Sequence, residues 1–305
     1  MAYRVIMIEN EVSIKVKLNN LIISKGLEKD VWIPLEDISV IVIDNLTTTI
    51  TVRTLTTFAE YGIELVISDT SHQPIGIYGA LANHSRATKV QLKQIDYFTE
   101  KNKDNLWIEI VRQKIANQCQ VLELLEKDKT AFEKMYDYRE QVQPGDITNR
   151  EAHAAKVYFN TLMGTTFSRG NEDILLNSGL DYGYAIIRSY LSRVCVGYGL
   201  NPQIGIHHKN EYNRFNLCDD LIEPIRPVVD YYVYRLLQEE EYFSSEHRRK
   251  IVNLLNHKIQ YQNKRMYICN MLETYVEQVA SLVMGKRDTI CFPSVADYIG
   301  EEDEI

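Results

Sequence analysis

The hydrophobic period of this chain changes once, just after Tyr78, and that change sets the class of fold it can adopt. Before it, short runs of β-branched and apolar residues recur at Tyr3 to Ile8, Glu11 to Leu18, Asn20 to Ile23, Asp30 to Ile33, Ser39 to Ile43 and Ile63 to Ile67, with a last one near Ile77 and Tyr78. Val12, Ile14, Val16 and Leu18 alternate with polar residues, the two-residue period of a strand with one buried face. Asn19-Asn20 and Gln73-Pro74-Ile75-Gly76 supply turns, and Thr51 caps a helix from Val52 to Tyr61 that Gly62 stops. From Asn83 onward the spacing is helical. Val90, Leu92, Ile95 and Phe98 mark a helix over Ala87 to Phe98, and Leu106, Ile110, Ile115, Val121 and Leu122 a longer one over Asn105 to Glu126. Further helices are expected at Thr130 to Gln141, Ile174 to Tyr198, Leu221 to Glu241 (interrupted by Pro224 and Pro227) and Ser245 to Met284. The expectation is an α+β multidomain protein. A small β-sandwich-like domain over residues 1–80 serves dimerisation, residues 81–85 form a linker, and a larger all-α domain over residues 86–305 carries the chemistry and ends in an acidic tail.

With 45% hydrophobic and 25% charged residues, 305 residues are enough for one large domain or two ordinary ones. No apolar run approaches the roughly 18 residues that would span a bilayer, and the opening MAYRVIMIENE lacks the layout of a secretory signal, so the expected location is the cytoplasm, with no membrane contact. Cys119, Cys195, Cys218, Cys269 and Cys291 are scattered, odd in number and never paired as Cys-x-x-Cys, which points to reduced and mostly buried thiols. A net charge of -8 stands against a general nucleic-acid binder. Four of those charges lie in the tail Glu301-Glu302-Asp303-Glu304, leaving -8 + 4 = -4 for the rest. Basic residues also gather at Arg86, Lys89 and Lys93; at Lys101 and Lys103; at Arg248, Arg249 and Lys250; at Lys258, Lys264 and Arg265; and at Lys286 and Arg287. Taken singly, each such cluster reads as a solvated helix face. Nucleoside-triphosphate loops, nucleophile elbows and His-Glu-x-x-His helices are absent from the sequence.

Two segments remain as candidates for chemistry. The first, Thr148 to Phe159, is a helix with small residues at Ala152 and Ala155 and with Glu151 in its first turn. Thr148-x-x-Glu151 is also a capping box, and the spacing alone favours that purely structural role for the glutamate. The second segment, Gly199 to Asp230, gathers His207, His208, Asp219, Asp220, Glu223 and the helix-breaking Pro224 and Pro227. Asp220 and Glu223, three apart, are expected to share a helix face, with His208 on the loop before it. One imidazole with two carboxylates suits Mn²⁺ or Mg²⁺ better than structural zinc, although helix capping by Asp220 and an ordinary packed histidine account for the same residues.

Three motifs carry a family resemblance. Glu151-Ala-x-Ala-Ala-Lys156-x-Tyr158-Phe159, then Asn171-x-Asp173-x-x-x-Asn177-x-x-Leu180-x-Tyr182-Gly183-Tyr184-Ala185, then Gly199-Leu200-x-Pro202-x-x-Gly205-x-x-His208 followed by Asp220-Leu-Ile-Glu223-Pro224-x-Arg226-Pro227 resemble, in order and spacing, the motifs of the CRISPR-associated integrase, the catalytic subunit of spacer acquisition. The resemblance extends over the whole chain and implies metal ligands at Glu151, His208 and Glu223, with Asp220 as a further catalytic acid and His207 as a neighbour. It implies insertion of short DNA spacers at repeat boundaries by transesterification, with Mg²⁺ or Mn²⁺ as cofactor. The partners implied are double-stranded DNA (protospacer and CRISPR repeat), a second copy in a homodimer, and a small ferredoxin-like subunit in a heterohexamer. Lys156 stands where the family often has arginine, which keeps the charge but not the bidentate phosphate contact. Gly62 to Asp69 with His72-x-Pro74 is similar to the version found with single-protein effectors, the type II systems. A metal-dependent structure-specific nuclease, and a non-catalytic DNA-binding scaffold subunit, are the alternative functions.

Overall fold

The computed structural model describes residues 4–26, 28–81, 86–171 and 174–300. The acidic tail, Asp173 of the second motif and most of the expected linker lie outside the described residues. The N-terminal region holds β1 (Arg4–Ile8), β2 (Ser13–Lys17), β3 (Asn20–Ser24), β4 (Val31–Pro34), β5 (Ile38–Ile43), β6 (Thr49–Ile50), α1 (Val52–Tyr61), β7 (Glu64–Ser68) and β8 (Pro74–Tyr78). They form two four-stranded sheets, ordered β4-β3-β2-β6 and β1-β5-β7-β8. The hairpin between β2 and β3 turns on Leu18 and Asn19, both at positive φ, one residue earlier than the Asn-Asn pair suggests. Thr51 accepts from the Thr54 amide to cap α1, and Gly62 ends it at a φ of 66°, as its sequence signals predict.

β5 reads ISVIVI and all six of its residues are buried, the continuous apolar run expected of a strand with parallel neighbours and both faces covered. On one face Ile41 and Ile43 join Leu65, Phe58 of α1, and Ile14 and Leu21 of the other sheet. On the opposite face Val40, Val42 and Val66 belong to the core of the helical region. The two regions are also tied by Arg193, whose Nε donates to the Gly62 carbonyl at 2.8 Å, and by the buried pair Arg248 and Asp44 at 2.8 Å. Arg248 is therefore internal and leaves the basic cluster at 248–250.

The helical region contains α2 (Ala87–Tyr97), α3 (Glu100–Leu124), α4 (Lys129–Glu140), α5 (Arg150–Met163), α6 (Leu175–Gly197), α7 (Asn216–Leu221), α8 (Arg226–Leu237), α9 (Ser245–Asn253) and α10 (Ile268–Val283). It is not all-α. The stretch expected to be one helix from Ser245 to Met284 breaks after α9 into β9 (Lys258–Tyr261) and β10 (Lys264–Tyr267), and β11 (Tyr298–Gly300) completes a sheet ordered β10-β9-β11. The signal is short: Ile259 and Tyr261 point inward while their neighbours do not, and the turn residues Gln262 and Asn263 take positive φ without a glycine. Leu221 to Glu241 is interrupted at Pro224 as expected, whereas Pro227 lies in the first turn of α8. α7 stops at Leu221, α8 starts at Arg226, and Glu223 and Pro224 stand in the break, so Asp220 and Glu223 do not share a helix face. No helix among the described residues is long and apolar enough to cross a membrane. Four of the cysteines are buried, Cys291 is exposed, and all five are free thiols.

Candidate active site

Asp220, fully buried on α7, shapes the loop that carries the histidines. Its Oδ2 accepts from the amides of Ile206 at 2.5 Å and His207 at 3.1 Å, and its Oδ1 accepts from the amide of His208 at 3.0 Å. His208 Nδ1, at 2.7 Å from the same Oδ1, completes the set. Because the carboxylate accepts the hydrogen bond from Nδ1–H, the imidazole is held in the tautomer that leaves Nε2 as an acceptor. The hydrogen bond to Asp220 also raises the His208 pKa, against the opposing effect of burial. Gly205 is required by this cradle. A Cβ there would collide with the His208 carbonyl oxygen and lie 2.8 Å from Asp220 Oδ2. Trp107 of α3 closes the other side, stacked on His207 with centroids 4.2 Å apart and edge-on to His208 at 6.0 Å.

Glu223 is buried in the break between α7 and α8. A break leaves carbonyls without helical partners, and Asn117 of α3 meets one of them: its Nδ2 donates to the Pro224 oxygen at 2.6 Å and to the Pro293 oxygen at 2.9 Å. The Glu223 Oε1 accepts from Arg226 Nε at 2.9 Å, and its Oε2 lies 2.5 Å from Lys114 Nζ. That second contact is a buried ion pair, so each Glu223 oxygen faces a cationic side chain. Burial alone would push the Glu223 pKa up, but Arg226 and Lys114 together hold it down to about 2. The Arg226 guanidinium in turn sits 4.3 Å over the Tyr184 ring, and the Tyr184 hydroxyl donates to buried Asp230, whose carboxyl burial pushes up to about 6.

Glu151 is not a capping residue. Asp146 performs that role, accepting from the Arg150 amide at 2.8 Å and the Glu151 amide at 2.9 Å, while the Thr148 hydroxyl is buried without a partner. The Glu151 carboxylate is thereby released from its own helix end, and its Oε1 accepts from Lys114 Nζ at 2.6 Å. Lys114 thus draws together two acids from α5 and from the break before α8. Its side chain is only 10% exposed, and the two carboxylates raise its pKa against the cost of burial.

Glu151 and Glu223 therefore meet around one ammonium, and Asp220 lies under His208 rather than beside the acids. Among the described residues no three His, Cys, Asp or Glu side chains converge closely enough to hold an ion. Sequence reasoning missed Lys114 and Asn117, and a signal was present. Trp107, Ile110, Val111, Lys114, Asn117, Gln118 and Val121 recur at the three- and four-residue spacing of the buried stripe of α3. A lysine on that stripe needs buried acids.

Residues 5–258 match the family model for the CRISPR associated protein Cas1. The CRISPR-associated endonuclease Cas1 of Neisseria meningitidis serogroup C (strain 8013) is 37% identical over 239 residues, which cover 78% of this chain and 77% of that protein. The chain belongs to the Cas1 family. Two solved structures share its fold: a casposase bound to integration product, with a TM-score of 0.79 at 18% identity, covering 97% of this chain and 94% of that one; and a Cas6-RT-Cas1–Cas2 complex, with a TM-score of 0.72 at 16% identity, covering 99% of this chain and 36% of that one. In this Cas1, the distant basic clusters at Arg86, Lys89 and at Lys286 come together on the rim of one cavity of about 400 Å³.

Proposed function

We propose that this Cas1 is a metal-dependent DNA integrase and endonuclease of CRISPR adaptation that joins short DNA duplexes to repeat boundaries by transesterification. The observation that carries the reading is the junction at Lys114. There, acids from two separate elements already attract one cation, at 2.6 Å and 2.5 Å. This donor set fits a hard divalent ion: carboxylate oxygens with one imidazole suit Mg²⁺ or Mn²⁺. Glu151, His208 and Glu223 would hold it after closing in from their present positions, where the three do not yet converge on one point. When bound, the ion supplies Lewis acidity to the phosphoryl oxygen and lowers the pKa of the attacking hydroxyl.

The remaining work falls to positioning. Asp220 fixes His208 in one tautomer, so it acts through the histidine as a positioning residue. Arg226 keeps Glu223 ionised and in one orientation, and Asp146 anchors the first turn that carries Glu151. In the joining step the incoming 3′-hydroxyl oxygen forms a new bond to phosphorus. The bond to the 3′-oxygen of the repeat strand breaks, and that oxygen leaves as the new hydroxyl. Protospacer and repeat duplexes are the DNA partners. A homodimer joined through the β region, with a small ferredoxin-like Cas subunit in a heterohexamer, would extend the DNA-binding surface of an acidic chain in the cytoplasm of a type II system. The shared fold of a casposase bound to integration product and of a complex containing Cas1 and Cas2 supports DNA and a Cas partner subunit.

The test is an integration assay with supercoiled repeat-containing plasmid, a short duplex and the small partner subunit. Joined product is expected with Mn²⁺ or Mg²⁺ and none with chelator, and His208→Ala or Glu223→Ala should abolish joining. Cleaved ends without joining would make the protein a nuclease, and joining by both variants would remove the catalytic assignment.

A further inference from the structure

Lys114 is the one buried ammonium at this junction, and nothing in the packing of α3 requires it there. Ile110 and Val111 on the same stripe belong to the apolar core, whereas Lys114 places its Nζ 2.6 Å from Glu151 and 2.5 Å from Glu223. Arg226 supplies a second cation to Glu223 at 2.9 Å. The two acids and two bases are therefore balanced with no metal present. A dication added to that set creates an excess of two positive charges in a site where Lys114 and Glu223 are nearly inaccessible to water. An ion bridging the same two oxygens, at the roughly 2.0–2.1 Å that Mg²⁺ takes, would stand beside the ammonium that bridges them now, so the like charge of Lys114 opposes its entry.

We propose that Lys114 is an internal counter-ion that occupies the cation seat of the metal-free site, is displaced from Glu151 and Glu223 when a divalent ion enters, and so limits the affinity for that ion. The inference rests on the metal-dependent reading above and assigns this chain's own lysine a role in it. In the metal-free protein the ammonium holds the buried Glu223 carboxylate ionised and the two acids together. On metal entry the lysine must give up both partners, and that loss weakens binding.

The experiment measures Mn²⁺ binding to the whole protein by calorimetry and by the electron paramagnetic resonance of free Mn²⁺, for the wild type, Lys114→Met and Lys114→Gln. Both neutral variants are expected to bind Mn²⁺ more tightly, by roughly tenfold or more, because a like charge has left the seat. Their metal-free forms should melt at lower temperature than the wild type, and saturating Mn²⁺ should close most of that gap. A purely structural lysine would give lower stability with unchanged or weaker binding, and that result overturns the proposal. Should neither variant fold, the wild type with isotope-labelled lysine decides the matter: Mg²⁺ titration must shift the ζ signal assigned to the buried lysine, and an unmoved signal at saturation also overturns it. If the wild type and both variants take up no Mn²⁺, the metal-dependent reading fails and the inference with it. If the wild type binds with an affinity that the substitutions do not tighten, the inference fails alone.

Discussion

Asp220→Asn is the sharpest perturbation of the site, because it keeps the shape of the side chain and removes its charge and one of its two acceptor oxygens. Four donors converge on this buried carboxylate: three backbone amides at 2.5, 3.1 and 3.0 Å and the His208 Nδ1 at 2.7 Å. Ile206 and His207 share Oδ2, while the His208 amide and ring share Oδ1. An asparagine presents one acceptor oxygen and one donor NH₂. With its oxygen toward the Ile206 and His207 amides, the NH₂ faces the His208 amide and ring; the ring can change tautomer so that Nδ1 accepts, but the His208 amide is left facing a donor. Hydrogen bonds to a charged group contribute about 1.5–3 kcal/mol each, so the lost amide bond costs about 1.5–3 kcal/mol, and the remaining bonds weaken with the loss of the charge. The Nδ1 contact is the largest cause of the raised His208 pKa, so the imidazole should titrate at lower pH in the variant. Urea unfolding gives the stability change, and the His208 ring resonance followed against pH gives the titration. A stability change below about 1 kcal/mol together with an unmoved His208 titration would show that Asp220 neither shapes the loop nor orients the ring. A loss of activity would then have to be explained by Asp220 touching substrate directly.

Two further predictions concern the scaffold. Glu64 is buried with Oε2 unpartnered, and burial raises its pKa from 4.5 to about 8, with Arg193 opposing. A carboxyl whose folded pKa lies above its unfolded value loses stability as pH rises between the two, so Glu64→Gln should match the wild type near pH 4.5 and exceed it by about 4 kcal/mol at pH 9; denaturation midpoints that differ equally at both pH values would contradict this. At Gly183 on α6 a Cβ would lie 2.6 Å from Val229 Cγ1 on α8. Gly183→Ala should therefore cost about 1–3 kcal/mol of overpacking, partly offset by about 1 kcal/mol of helix propensity, and a raised melting temperature would show that the two helices can part freely.

The sequence reading succeeded where one physical signal acted alone. The Thr51 cap, the Gly62 stop and the apolar run of β5 each depend on adjacent residues, and each formed as read. It failed where two local signals competed. Thr148-x-x-Glu151 is a correct capping pattern, yet Asp146 reaches the same amides from outside the expected window and the glutamate is freed. At Lys258 to Tyr267 the two-residue period lasts only four residues per strand, too short to stand out beside α9 and α10. Of the site, the residue types of Glu151, His208, Asp220 and Glu223 were legible. Their arrangement was not, because it depends on α3, which precedes all four in the chain and reads as ordinary core.

α3 sets the spacing of the whole site, and its pitch explains which of its residues had to be polar. Trp107 meets the histidine pair, Lys114 the two acids, and Asn117 the carbonyl exposed by the break at Pro224. Seven residues along an α-helix return to the same face within about 20° and advance by about 10 Å, and three more advance by about 4.5 Å. The imidazole loop, the acid junction and the broken helix are therefore lined up along one rigid element at successive heights. A ligand set assembled from a loop, a helix end and a helix break gains its rigidity from that element. The break in turn is possible because Asn117 satisfies the carbonyl that a continuous α7 and α8 would have bonded internally. Without the break, Asp220 and Glu223 would lie on one helix face, and Glu223 would stand over the histidine loop instead of turning toward Lys114 and Glu151.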